Sequence, residues 1–213
     1  MSRSVALAVL LVALCVAAPA SGKSTTANRS CSSARSHTML RNAQARVYRR
    51  GVLIYGCAFA TGKRRLLGTT YQPQQSSSGG GGLTHMRLTG HYAAVISVLE
   101  DEGGRLAGIY VVDLRTARTS YHWEVGADGM TGSANDADVT DLVLAANGSV
   151  AYIEGVHGPA DFKPPTRLIV RRHDTRGDSI LEDSSTIAPT SLTLTGHQLA
   201  WRTGDTVRTS TLR

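Results

Sequence analysis

The chain repeats a phrase: a short alternating apolar run, a turn holding glycine, then a second run that ends in a small residue and an aromatic or β-branched one. It reads Met86-Arg87-Leu88-Thr89-Gly90-His91-Tyr92-Ala93-Ala94-Val95, and again Leu192-Thr193-Leu194-Thr195-Gly196-His197-Gln198-Leu199-Ala200-Trp201. A looser copy runs from Leu142 to Tyr152 through Asn147-Gly148, and Val47-Tyr48-Arg49-Arg50-Gly51-Val52-Leu53-Ile54-Tyr55 reads as a fourth. Period-two alternation on either side of a glycine turn is the pattern of a β-hairpin. A recurring hairpin constrains architecture strongly and chemistry hardly at all.

Strand-forming stretches fill the rest of the chain. Val47 to Arg49, Val52 to Phe59, Arg64 to Leu67, Met86 to Leu88, Ala93 to Leu99, Ala107 to Leu114, Ser120 to Val125, Thr140 to Leu144, Val150 to Glu154, Arg167 to His173, Ser191 to Leu194, Gln198 to Arg202 and Thr206 to Leu212 are short and β-branched or alternating. Turn clusters such as Asp101-Glu102-Gly103-Gly104, Arg176-Gly177-Asp178 and Thr203-Gly204-Asp205 separate them. Only Arg35 to Ala45 has helix-friendly composition outside the N-terminus. The last residues of the phrases, Tyr55, Val95, Tyr152 and Trp201, are about 40, 57 and 49 residues apart, near the ~40 to 45 of a four-stranded blade with inserted loops. With Leu199-Ala200-Trp201 and Val150-Ala151-Tyr152 closing two of its phrases, the chain resembles the secreted β-propeller-like proteins of the broad WD40 and TolB type over Ala45 to Arg213. That resemblance implies an all-β domain of about four antiparallel blades. The alternative with the same strand count is a β-sandwich.

Arg3, the apolar run Val5 to Ala18 and the small residues of Ala18-Pro19-Ala20 read as a secretory signal peptide over 1–20. No later run approaches the ~20 apolar residues of a membrane helix, so no transmembrane segment is expected after signal removal and the product is placed outside the cytoplasm. Losing Cys15 leaves Cys31 and Cys57, an even pair in an exported chain and hence a disulfide, which ties down residues 21–44 ahead of a domain over 45–213. Residues 72–82, Gln72 to Gly82, are low-complexity Gln, Ser and Gly and read as a disordered insertion within that domain. Asn28 and Asn147 fit glycosylation triplets, the second better explained as a turn.

Charge is divided along the chain. The first acidic residue is Glu100, and Arg46, Arg49, Arg50, Lys63, Arg64 and Arg65 precede it unopposed. These six are the candidate basic docking surface for an anionic envelope polymer, with another extracellular protein as the other partner class. These cations are not expected to share a groove with interleaved aromatics as nucleic-acid binding would want, and export argues against intracellular nucleic acid. Asp136, Asp138 and Asp141 form the densest acidic stretch, a weak calcium candidate without the glycine and distal glutamate of an EF-hand.

No catalytic motif emerges. Gly177-Asp178-Ser179-Ile180 resembles the nucleophile block of the GDSL hydrolases, but no Asp-x-x-His follows to activate the serine, so it reads as a turn. No cofactor motif is present. His91 and His197 each follow Thr-Gly in a repeat copy, which argues for a turn role. The expected function is an exported, non-catalytic binding or scaffold module. The rival is an extracellular polysaccharide-acting hydrolase or lyase using carboxylates such as Glu100, Asp101, Glu154 and Asp174, which requires two of them to converge.

Overall fold

A computed structural model of the chain describes residues 31–32, 35–70, 80–101, 104–125, 137–157 and 165–213. All fifteen elements among them are strands: β1 (His37–Arg41), β2 (Ala45–Arg50), β3 (Leu53–Ala58), β4 (Arg64–Thr69), β5 (Gly80–Thr89), β6 (Tyr92–Asp101), β7 (Gly104–Asp113), β8 (Arg118–Glu124), β9 (Ala137–Leu144), β10 (Val150–Val156), β11 (Arg167–Asp174), β12 (Gly177–Ser184), β13 (Thr193–Thr195), β14 (Gln198–Thr203) and β15 (Thr206–Thr211). They form four antiparallel sheets in chain order, each a simple meander: β1 to β4, β5 to β8, β9 to β12, and a three-stranded β13 to β15. None closes into a barrel.

Each phrase spans a hairpin. Thr89 pairs with Tyr92 around Gly90-His91, and Thr195 with Gln198 around Gly196-His197. Gly90 and Gly196 both sit at φ +59°, the left-handed region that a tight hairpin demands and glycine supplies without strain. In both copies the histidine carbonyl then accepts the next long-range bond, from Leu114 N (2.9 Å) and from Leu212 N (2.9 Å). In the second, third and fourth sheets the phrase joins the first two strands, but Val47 to Tyr55 joins β2 to β3. The equivalent hairpin in the first sheet is β1–β2, closed by Asn42 N to Ala45 O, and it ends at Tyr48.

The strands follow from how many faces each sheet buries. β6 reads Tyr92-Ala93-Ala94-Val95-Ile96 because both of its faces are covered. Ala93 and Val95 pack with Val47, Ile54 and Leu114 toward the first sheet, while Ala94, Ile96 and Val98 pack with Leu142, Val150 and Tyr152 of the third. β10 repeats the arrangement: Val150 and Tyr152 face the second sheet, Ala151 and Ile153 face Leu199, Trp201 and Leu212 of the fourth. Strands buried on both sides lose polar alternation, and each fully buried Ile or Leu among them contributes roughly 1.5–3 kcal/mol. Successive sheets therefore stack in order, one to two to three to four. Their first strands lie side by side, β1 by β5, β5 by β9 and β9 by β13.

Three sequence expectations need correction. Arg35 to Ala45 is not helical; it contains strand β1, whose Leu40 joins the core between the first two sheets, so the sheet structure starts at His37 rather than at Ala45. Gly177 to Ile180 opens strand β12 instead of forming a turn, the reversal lying one step earlier at Asp174 to Gly177. The insertion expected over residues 72–82 does not reach Gly82: Gly80, Gly81 and Gly82 begin β5 and pair with Glu100, Leu99 and Val98. A Cβ on Gly81 would meet Val98 O at 2.5 Å, so glycine admits a close approach of backbones there. Residues 71–79 lie outside the described residues, as does the signal peptide expected over 1–20.

Candidate docking face on the first sheet

Register decides which side chains of the first sheet share a face. Arg41 pairs with Arg46, Arg46 with Cys57, and Cys57 with Arg64, which places three arginines and the disulfide in one row across the sheet. The neighbouring row is Thr38, Tyr48, Tyr55 and Leu66. Val47, Ile54 and Leu40, of opposite parity, form the other face and pack on the second sheet. The arginine and tyrosine rows are thus the outward face of the first sheet.

Cys57 is bonded to Cys31 with Cα atoms 5.7 Å apart. Both cysteines are buried with Tyr48, and Tyr55 and Phe59 pack against them. The bond holds the segment before β1 against this face, where Ser36 meets Arg46. That arginine is only 8% exposed. Its Nη1 donates to Thr38 Oγ1 (3.2 Å), its Nη2 to Ser36 Oγ (3.1 Å), and its guanidinium lies over the Tyr48 ring at 4.3 Å. Its buried Nε has no hydrogen-bond partner, and no carboxylate pairs with it among the described residues. Burial lowers the Arg46 pKa from its ordinary value; Tyr48 acts in the opposite direction, and the charges of Arg41 and Arg64 lower it further. An arginine starts so high that it stays charged regardless.

Aromatics interleave the cations after all. Tyr48 and Tyr55 stack at 5.6 Å, and Arg41 lies over Phe59 at 5.1 Å. Phe59 also lines a cleft of about 490 Å³ shared with Gln44, His91 and Arg115. Of the six basic residues expected to dock, Arg46 and Arg64 share this face. Arg49 and Arg50 sit exposed at the β2–β3 turn, Lys63 is exposed in the turn before β4, and Arg65 has the opposite parity to Arg64. Arg41, Ser36, Thr38, Tyr48, Tyr55 and Phe59 complete the site and were not singled out. The pairs Arg46/Tyr48 and Tyr55/Cys57, each two residues apart, carried the signal, but Arg41 and Thr38 join them only once β1 is recognised as a strand.

The other charged candidates are occupied structurally. Glu154 is fully buried and accepts from Arg171 Nε, whose guanidinium lies 5.7 Å from the centre of the Trp123 ring. This pair sits beside Tyr121, Tyr152 and His173 between the second and third sheets, and Tyr121 donates to Asp178 Oδ1 at 3.0 Å. Asp174 points to the opposite side of the third sheet, as its parity against Ile169 and Arg171 requires. It takes the Arg176 backbone N–H (2.9 Å), the Arg176 guanidinium and Arg213 N (3.1 Å). Burial pushes its pKa up, but those donors outweigh burial and hold the carboxyl well below the usual range. Glu154 and Asp174 therefore do not converge, and each is already bonded. Glu100 and Asp101 lie at the end of β6 on a different sheet.

Asp138 and Asp141 lie on β9, not in an open loop, while Asp136 is outside the described residues. Asp138 Oδ2 is 3.9 Å from His157 Nε2. Asp141 accepts from Leu192 N and Leu142 N (both 2.9 Å) and faces Arg87 at 3.8 Å, joining three sheets. Among the described residues no three His, Cys, Asp or Glu side chains group as metal ligands, and no helix is long and apolar enough to cross a membrane.

No family model matches the chain, and no curated protein matches it. Among solved structures, one described as "KlHsv2 with loop 6CD replaced by a Gly-Ser linker" aligns with a TM-score of 0.35 and 11% identity. The alignment covers 84% of this chain and 66% of that one, so the chain spans just under two thirds of that structure's length. An overlap of that size says nothing about fold or function.

Proposed function

We propose that the protein is an exported, non-catalytic, β-propeller-like scaffold that docks on an anionic polymer of the cell envelope or extracellular space through the outward face of its first sheet. The observation that carries the reading is Arg46. A buried guanidinium with an unpartnered Nε, set between two further arginines in a stretch that lacks any acid before Glu100, is a cation without a counter-charge among the described residues. An unpaired buried charge is costly, and an anionic ligand placed against this one would supply the missing counter-charge. Tyr48 and Phe59 add ring faces that rigidify Arg46 and Arg41 by cation–π contact, and Tyr55 stacks on Tyr48.

Sheets in chain order, inner sheets covered on both faces and adjacent first strands support a radial arrangement of blades over a two-layer sandwich. The disulfide fits an oxidising compartment. Glu154 and Asp174, on opposite faces of the third sheet and each already bonded, do not form the carboxylate pair of a glycoside-cleaving site, which favours the non-catalytic reading.

The test is binding of the oxidised protein to immobilised polyphosphate and to vesicles with and without phosphatidylglycerol, across a salt series. The reading expects binding only to the anionic probes, falling steeply with salt, and weaker by about tenfold in Arg46→Met than in Arg49→Ala. Salt-insensitive binding, or none, overturns it.

A further inference from the structure

Among the described residues the fourth sheet has three strands, where each of the others has four. In each four-stranded sheet the ladder to the outermost strand is broken by a register shift, at Ile54/Tyr55, Val111/Val112 and Val170/Arg171. The β14–β15 ladder runs unbroken from Gln198↔Thr211 to Thr203↔Thr206. β15 is therefore built like an interior third strand, yet it stands at an edge, and Val207 on it is 63% exposed. Long, regular, uncovered edges are what folds ordinarily avoid.

Backbone parity shows what that edge offers. The two-residue turn at Gly204-Asp205 and the bond from Leu212 N to His197 O direct residues 206, 208, 210 and 212 toward β14, leaving 207, 209, 211 and 213 pointing outward. The third sheet already uses the last two. Arg172 Nη1 (3.1 Å) and Arg176 donate to Thr211 O, Arg213 N donates to Asp174, and Arg213 O accepts from Thr175 N. The outward N–H and C=O groups of Val207 and Thr209 have no partner among the described residues.

Beside them runs a cleft of about 410 Å³ between β15 and β12, the outermost strand of the third sheet. Leu181 and Trp201 supply apolar surface, Arg208 supplies charge, and Thr209 and Ser210 form the wall. Glu182, the acid in the lining, accepts from Trp201 Nε1, and Arg208 forms no ion pair among the described residues.

We propose that the β15 edge is a strand-addition site that takes an extended acidic segment of a partner protein as a fourth strand, hydrogen-bonded to Val207 and Thr209 with its side chains in the Leu181–Trp201–Arg208 cleft. Main-chain bonds give such sites their affinity and pockets for alternate side chains their selectivity. Charge selects the occupant: a second copy would bring another chain of net charge +7 against Arg208, whereas an acidic strand neutralises it. This site belongs to the last sheet and does not depend on the docking face of the first.

The probe is a labelled synthetic peptide with the sequence of Gly177 to Ser184, itself an outermost strand and rich in acids, titrated by fluorescence anisotropy against the full chain. Saturable binding is expected, weakened about tenfold or more by Thr209→Pro and by Arg208→Glu, and changed less than about twofold by Thr195→Ala on β13. Because the Thr209 N–H points away from β14, proline removes only the docking bond; circular dichroism checks the fold. Should Thr209→Pro fail to fold, backbone N-methylation of alternate peptide residues removes the same bonds from the ligand side. Absent binding, binding indifferent to proline and to N-methylation, or self-association in sedimentation that Thr209→Pro abolishes overturns the proposal, the last by making a second copy the occupant.

Discussion

Arg46 is a guanidinium taken out of water with two hydroxyls and a ring for company, and its desolvation is not repaid by any ion pair among the described residues. Replacing such a charge by an apolar residue of similar length is commonly neutral or stabilising. Arg46→Met is therefore expected to melt at the same temperature as the parent or above it, by up to about 2 kcal/mol of added stability, while losing affinity for polyphosphate. A variant that is both destabilised and binding-competent would make Arg46 a structural residue. Asp174 is the opposite case, buried and held ionised by donors from two sheets. Its folded pKa lies below that of an unfolded aspartate, about 3.9. The stability it contributes is thus fully present above that pH and is lost as pH falls toward the folded value, because the unfolded chain takes up the proton first. Asp174→Asn should cost about 2 kcal/mol or more at neutral pH and flatten the loss of melting temperature below pH 4. Asp183→Asn, at the exposed pair with Arg167, should change both by no more than ~1 kcal/mol.

Between elements, the tightest contact described for a glycine joins the first two sheets at Gly56, where a Cβ would meet Leu114 Cδ2 at 2.4 Å. Gly56→Ala is expected to force β3 and the end of β7 apart and cost roughly 1–3 kcal/mol. In a Leu114→Ala background the same change should cost much less, since the two sites share one volume; a double-mutant cycle in urea measures the coupling, and strict additivity would refute the contact. Contacts of this kind mark the limit of what the chain displays on its face. Thirteen strands follow from β-branched runs and glycine turns, and the disulfide follows from an even cysteine pair. β1 escapes because His37 to Arg41 lacks β-branched residues other than Thr38 and its outer residues are solvent-exposed, so nothing in the pattern opposes a helical reading. β12 escapes because Gly177-Asp178 looks like a turn although the reversal precedes it. Missing β1 hid Arg41 and Thr38, and with them the cationic row, which depends on cross-strand pairing rather than on proximity in sequence.

At the scale of the molecule, the cores are strung together pairwise, the first sheet touching the second, the second the third, the third the fourth. The end sheets consequently depend on what covers their outer faces. The first has the Cys31–Cys57 bond, closing a sequence separation of 26 residues and contributing roughly 3 kcal/mol in the chain-entropy model. For a domain near this size that corresponds to a fall in melting temperature of roughly 6–12 °C on reduction. Because the described cores couple each sheet to its neighbours, the loss should be uneven. Hydrogen exchange after reduction is expected to rise in β1 to β4 well before it rises in β9 to β12, whose partners on both sides remain. Reduction should also weaken polyphosphate binding, since releasing Cys31 frees the segment whose Ser36 orients Arg46. Uniform acceleration across all four sheets would show that they unfold as one cooperative unit, and unchanged binding would remove the tethered segment from the docking face.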